Sequence, residues 1–255
     1  MDARASAARS LTASWLGRVS YRDGWALQKA LVDRRAAGEI EDVLLLLEHD
    51  AVLTLGRQAD ERHVLASPRE LRRRAVEVIR VERGGEVTYH GPGQVVAYPI
   101  LRLADRGILV RPLVEALEGA MLETCAANGV TAIRRQGHPG AWVEGDRGRP
   151  PRKIGALGLR IERGVSYHGI ALNVDPDLRD FDLIDPCGMP GLVSTSIAEE
   201  LGRSAEPPST EAVERAAGRF ADAFAGQLRA ALEWRPAEWL QDIANPAPAA
   251  AIGRR

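Results

Sequence analysis

The chain has 255 residues, of which 45% are hydrophobic, and a formal net charge of -1. This length and composition are sufficient for a sizeable core and exclude a largely disordered chain. The near-neutral charge, without a basic stripe, argues against nucleic acid as a partner. The longest apolar run, Val43 to Leu47, is far too short to cross a bilayer, so we also expect no membrane partner.

The predicted elements follow from the spacing of apolar residues and from capping signals. Predicted helices cover residues 21–37, 67–74 and 112–128, a short segment capped near Thr195 or Ser196, and a long amphipathic stretch that begins at Ser209 or Thr210. Predicted strands cover residues 43–47, 52–55, 76–81, 95–101, a run around Trp142, 154–161 and 165–172. Strands occur in clusters with helices before, between and after them. This order favours an α+β fold, a single domain with a mixed β-sheet flanked by helices.

The two ends of the chain differ in composition from the middle. Residues 1–14 are rich in Arg, Ser and Ala, which predicts a loose N-terminal extension, although a mitochondrial transit peptide has a similar composition. Residues 242–255 are rich in Ala and Pro, which predicts a flexible tail. No composition break divides residues 15–241, so we take them as one domain.

A glycine-rich stretch, RGGEVTYHGPGQ at residues 83–94, is the most unusual segment of the chain. Its glycines allow the backbone to approach a ligand closely. It lacks the Gly-Lys-Ser/Thr ending of a phosphate loop and precedes a strand rather than a helix, so nucleotide binding is disfavoured. Residues 163–169, RGVSYHG, resemble residues 83–91 with two residues removed. Two similar loops suggest one pocket lined from two sides; a tight hairpin and a chance likeness are the alternatives.

The chain contains two cysteines in different settings. They are too few for a disulfide framework and lack metal-site spacing, which predicts a reducing compartment, the cytoplasm, and no metal. Cys125 lies at helical spacing with Leu117 and Met121, where a cysteine behaves as a small hydrophobe. Cys187 lies in a Pro/Gly-rich loop, residues 185–191, and is a candidate nucleophile or a structural loop residue.

A thiol nucleophile needs a base, since a free cysteine is mostly protonated at neutral pH. Arginine cannot accept a proton, whereas a lysine can when its surroundings favour the neutral form. The 34 basic residues include only two lysines, Lys29 and Lys153. Lys153 is therefore a candidate for a task that needs an amine, or simply a survivor of the compositional bias. Lys29, in a helix among polar neighbours, is expected to be a solvated surface residue.

Five blocks together resemble the lipoyl(octanoyl) transferases. They are residues 83–101, 137–143, 153–161, 163–175, and PCG at 186–188 followed by TSI at 195–197. Residues 44–57 also resemble the N-terminal strand pair of that family. The resemblance implies a fold like the catalytic domain of biotin and lipoate protein ligases, and a reaction that requires no ATP, cofactor or metal.

The resemblance also implies an activity and its residues. An octanoyl group would pass from octanoyl-acyl carrier protein, through a thioester on Cys187, to the lysine of lipoyl domains of 2-oxoacid dehydrogenase complexes and of the glycine-cleavage H protein. Lys153 matches the lysine that pairs with this cysteine. The residues that match the acyl-binding segments are Arg83, Gly84, Gly85, Glu86, Val87, Thr88, Tyr89, His90, Ala156, Leu157, Gly158, Gly169, Ile170 and Ala171. On charge alone, an arginine near the mouth such as Arg152 is expected to attract the acidic carrier protein.

Three alternatives differ in chemistry. An ATP-dependent lipoate or biotin protein ligase shares the expected fold and needs no cysteine. A non-catalytic module would bind acyl groups or carrier proteins without covalent transfer. A cysteine hydrolase would use His90 or His168 as its base, although nothing in the sequence indicates which histidine pairs with Cys187.

Overall fold

The computed structural model describes residues 10–146, 148–186, 191–203 and 209–244. The strands in these ranges are β1 Ser10–Val19, β2 Val43–His49, β3 Val52–Leu55, β4 Glu77–Arg80, β5 Val87–His90, β6 Gln94–Ile100, β7 Ile133–Arg135, β8 His138–Val143, β9 Arg152–Glu162, β10 Val165–Asn173, β11 Val193–Ser194 and β12 Ala231–Trp234. The α-helices are α1 Tyr21–Ala37, α2 Pro68–Arg73, α3 Leu103–Arg106, α4 Val110–Ala127, α5 Ile197–Glu200, α6 Thr210–Leu228 and α7 Ala237–Ala244.

Most described strands form one mixed sheet in the order β12-β1-β2-β6-β10-β9-β8-β7, and β11 pairs with β9. The pairs β12–β1, β1–β2 and β11–β9 are parallel, and the other pairs are antiparallel. A second sheet contains β4, β3 and β5. Helices cover both faces of the large sheet, so the predicted α+β fold with a mixed, helix-flanked sheet is confirmed.

The apolar run of β2 shows why both faces are covered. Leu44 and Leu46 pack into the cluster that contains helices α4 and α6, whereas Val43, Leu45 and Leu47 pack into the cluster that contains α1 and α7. Successive side chains of a strand point to opposite faces, so a continuous apolar run indicates burial on both. At about 25 cal/mol per Å² of buried apolar surface, these clusters provide the main stabilisation of the sheet.

Both predicted ends of the domain are partly wrong. Residues 10–14 are not loose: they begin β1, and Leu11 and Ala13 are fully buried. These residues are held in place by parallel pairing with β2 and β12. The pairing joins segments that are distant in the sequence, so the local composition does not indicate it. Residues 242–244 complete α7, where Ala244 is buried on the sheet. Residues 1–9 and 245–255 lie outside the described part of the chain.

Most local predictions are confirmed. Helix α1 has the predicted bounds, and its C-cap Gly38 adopts a φ of 76°. Ser67 caps α2 and Ser209 caps α6, each accepting a hydrogen bond from a backbone N–H of the first turn. The predicted strand 43–47 is too short by two residues, because Glu48 and His49 continue β2 and are fully buried.

Candidate active site

A cavity opens where the middle of the β9–β10 hairpin meets the glycine-rich stretch. We call it the main cavity. Twelve of the fourteen predicted acyl-binding residues line it, all except Gly84 and Tyr89, together with Tyr21, Tyr98, Lys153 and His168. The sheet register explains the space, because Ala156 pairs with Ala171 and Gly158 pairs with Gly169. Small residues in both strands leave room above the sheet.

The glycine-rich stretch is held by a buried arginine. Arg83 donates hydrogen bonds to the carbonyl oxygen of Thr54 at 2.6 Å and to its Oγ1 at 2.9 Å. The Gly84 N–H donates to the Leu159 carbonyl at 2.9 Å. These bonds attach the stretch to β3 on one side and to β9 on the other. Two separate sheets are therefore joined around the cavity. The second similar segment is not a loop throughout, because its residues from Val165 onward belong to strand β10, and only His168 and Gly169 of it line the cavity.

Glycine is required at position 169 because strands β10 and β6 lie very close together there. A Cβ added there would lie 2.0 Å from the Ala97 carbonyl oxygen. We expect Gly169→Ala to lower the free energy of unfolding by about 2 kcal/mol, because β6 and β10 would have to separate. Urea unfolding measures this change. Gly218→Ala is the matched control, since a Cβ there meets nothing within 4 Å and alanine favours the helix. Equal stability of the two variants would contradict the prediction.

A second cavity adjoins the first, and we call it the side cavity. The two share Thr88, Lys153, Ala156 and Ala171. The side cavity reaches Tyr89, Ser194 and Pro186, the residue before Cys187. Cys187 itself lies outside the described residues. Lys153 therefore lines both cavities, one of which reaches the start of the predicted nucleophile loop.

Lys153 is buried, with 9% of its surface exposed. It lies in β9 between Trp142 of β8 and Ser194 of β11. Its Nζ is 5.3 Å from the centroid of the Trp142 ring, and its carbonyl accepts the Thr195 N–H at 2.9 Å. The only other lysine differs as predicted: Lys29 has a side chain that is 54% exposed and forms a 3.4 Å ion pair with Glu82. Lys153 is thus a buried lysine at the cavity, whereas Lys29 is a surface lysine.

Arg152 does not lie at the mouth, so the expectation that it attracts a carrier protein is wrong. Its side chain is 6% exposed and forms a bidentate pair with Glu200, at 2.7 and 3.0 Å. Thr195 also donates to Glu200, at 2.6 Å. This network attaches β9 to helix α5 directly beside Lys153. The positive charge of Arg152 is neutralised by Glu200 within the network.

Three buried histidines line or adjoin the main cavity. One of them, His49, was not among the predicted site residues. Its Nε2 is 2.8 Å from the Tyr98 hydroxyl and its Nδ1 is 2.9 Å from the Val19 carbonyl. Burial lowers the pKa of His49 to about 4 and that of His168 to about 3, and it holds the pKa of His90 well below the usual value. All three imidazoles are therefore neutral at pH 7. No spacing in the sequence pointed to His49, Tyr21 or Tyr98, which come together only through the tertiary structure.

The buried histidines predict that mild acid destabilises the protein. Their folded pKa values lie below the unfolded value of about 6.5, so the unfolded chain binds protons first as the pH falls. The free energy of unfolding is therefore highest above pH 6.5. Below this pH it falls by about 1 kcal/mol per histidine over one pH unit. Urea unfolding from pH 7.5 to pH 5 measures this loss. A flat profile above pH 5 would contradict it, because carboxylates titrate mainly below that range.

Among the described residues, none of the helices combines the length and apolar character needed to cross a membrane.

The comparisons with known proteins agree with this geometry. Residues 20–221 match the family described as lipoyl protein ligase A/B catalytic domain. An octanoyltransferase of Chloroflexus aurantiacus is 45% identical over 222 residues, which cover 87% of this chain and 97% of that protein. An octanoyltransferase of Acidobacterium capsulatum is 46% identical, covering 84% and 89% of the two chains. These relatives confirm the prediction of an acyltransferase.

Solved structures support the fold. A lipoate-protein ligase A bound with ATP matches with a TM-score of 0.63 and 16% identity, covering 92% of both chains. A bi-partite lipoate protein ligase from Thermoplasma acidophilum matches with a TM-score of 0.63 and 13% identity, covering 92% of this chain and 90% of that chain. At these identities the likeness concerns the fold alone.

Proposed function

The chain belongs to the lipoyl protein ligase A/B catalytic domain family, and we propose that it transfers an octanoyl group from octanoyl-acyl carrier protein to the lysine of a lipoyl domain. The acceptors would be lipoyl domains of 2-oxoacid dehydrogenase complexes and the glycine-cleavage H protein. The relatives named octanoyltransferase support the acyl group. The donor, the acceptors and the route through Cys187 follow from the matched motifs.

The observation that carries this proposal is the position of Lys153. Lys153 lines both the main cavity and the side cavity that extends to Pro186. An acyl chain in the main cavity would place its carbonyl carbon between Lys153 and the loop that carries Cys187. The chain has six methylenes, each worth about 0.8 kcal/mol on burial, so the cavity could supply about 5 kcal/mol of binding.

The first step forms an acyl-enzyme. Lys153 in its neutral form takes the proton of the Cys187 thiol, and the thiolate attacks the thioester carbon of the donor. The bond from this carbon to the phosphopantetheine sulfur then breaks. Lys153 returns the proton to the departing thiol, so the step needs no other reactant.

The second step forms an amide. The amine of the acceptor lysine attacks the thioester carbon on Cys187, and the carbon–sulfur bond breaks. The proton lost by the amine passes to the Cys187 thiolate through Lys153, which restores the starting state. The thioester energy drives both steps, and the reaction requires no ATP.

Intact-protein mass spectrometry tests this function. After incubation with octanoyl-acyl carrier protein, the full chain should gain the mass of one octanoyl group on Cys187, and this mass should pass to a lipoyl domain added later. Reaction only with free octanoate and ATP would instead identify a ligase. Tight binding of the donor without a covalent product would identify a binding module.

A further inference from the structure

His168 lies at the end of the main cavity that is remote from Lys153. It pairs with Leu159 of β9, which is six residues beyond Lys153. At about 3.3 Å per residue, the two backbone positions are about 20 Å apart along the sheet. Lys153 and His168 nevertheless line one cavity, so an eight-carbon chain that starts beside Lys153 and follows the cavity extends toward His168. The end of a bound acyl chain would therefore approach the His168 ring.

The His168 ring is buried without a hydrogen-bond partner. It is 1% exposed, and neither Nδ1 nor Nε2 has a partner among the described residues. Its aromatic neighbours are already engaged. The hydroxyl of Tyr167 donates to Glu82 at 2.9 Å, and that of Tyr98 bonds His49. Since His168 is neutral, it offers one donor and one acceptor. An unmet buried polar group is costly, so a partner bound in the cavity would be favoured.

The backbone at His168 is also unusual. Its φ is +53°, in the left-handed region, although it lies inside strand β10. The other positive-φ residues outside glycine, in the part of the chain described, lie in turns. The His168 N–H donates to Gln28 of helix α1 at 2.7 Å. Such strain persists where the surrounding structure enforces it, and it is common at ligand sites.

We infer that His168 determines acyl specificity by hydrogen-bonding a polar group at the end of the chain remote from the thioester. The substrate class is a medium-chain acyl group with a terminal hydroxyl, accepted in addition to the octanoyl group. This inference rests on the proposed function. An aliphatic cavity without such a residue would bury the hydroxyl unpartnered and reject it, whereas His168 supplies either a donor or an acceptor.

The test compares two isosteric donors on carrier protein, 8-hydroxyoctanoyl and nonanoyl, which differ only in a terminal hydroxyl or methyl. Octanoyl donor is assayed in parallel. For the unaltered chain we expect kcat/KM with the hydroxylated donor to equal or exceed that with nonanoyl donor. In His168→Phe, which keeps an aromatic ring without nitrogen, this ratio should fall about tenfold or more. The ratio between these two donors is the readout, so a loss of activity common to all three donors cancels in it.

His168→Asn is the second variant, because asparagine tolerates a positive φ and retains a donor and an acceptor. It should preserve part of the ratio that His168→Phe loses. A ratio well below one in the unaltered chain, or one unchanged by His168→Phe, would overturn the inference. If His168→Phe does not fold, the ratio for the unaltered chain and for His168→Asn still decides. Failure of the proposed function is distinguishable, because octanoyl donor would then give no acyl-enzyme at all.

Discussion

Replacement of Lys153 by arginine is expected to slow octanoyl transfer about a thousandfold while the protein stays folded. Arginine keeps hydrogen-bond donors at the position but cannot act as a base, because its guanidinium stays protonated. Proton transfer by a positioned side chain contributes about 10² to 10⁴ in rate. Turnover with octanoyl-acyl carrier protein and a lipoyl domain measures the effect, and thermal unfolding checks the fold.

Lys29→Arg is the matched control for this change. Lys29 is the other lysine of the chain, and its side chain is largely exposed. We expect activity within about twofold of the unaltered protein, because surface substitutions away from special features have small effects. Normal turnover by Lys153→Arg would refute the assignment of Lys153 as the base. Equal losses in both variants would indicate general damage instead.

Replacement of Cys187 by alanine is expected to abolish both the acyl-enzyme and transfer to the lipoyl domain. Without the thiol no thioester can form, and the acceptor amine would have to react with the carrier thioester directly. Intact mass spectrometry should show no gain of an octanoyl group, and lipoyl-domain modification should fall to the background rate. Cys187→Ser should retain the fold and transfer at most slowly, since a hydroxyl is a weaker nucleophile than a thiolate.

Cys125→Ala separates a specific loss from a general one. Burial raises the pKa of the Cys125 thiol to about 12, so this thiol is protonated and unreactive at neutral pH. It lies in the core cluster packed by α4 and α6. The variant should lose some stability and still gain the octanoyl mass on Cys187. Full transfer by Cys187→Ala, or loss of the acyl-enzyme in Cys125→Ala alone, would contradict the assignment of the nucleophile.

The elements predicted well were those whose signals are local. Helix α6 follows from its apolar spacing and the Ser209 cap, and α1 from its spacing and Gly38. Strands β1 and β12 were missed because both depend on parallel pairing between segments that are far apart in the sequence. Strands of this kind are stabilised by pairing with their neighbours rather than by their own propensity.

The amino-acid sequence alone determined the matched blocks and, through them, the predicted acyl-binding residues, twelve of which line one cavity. It also singled out Lys153 as one of only two lysines. Only the tertiary structure decided which charged groups are buried. Arg152 forms an ion pair with Glu200, whereas Lys153 lines both cavities. It also decided that His49, His90 and His168 are neutral. It placed His168 and Lys153 in the lining of the same cavity. Burial and ionisation depend on contacts between distant segments, which no local pattern in the sequence records.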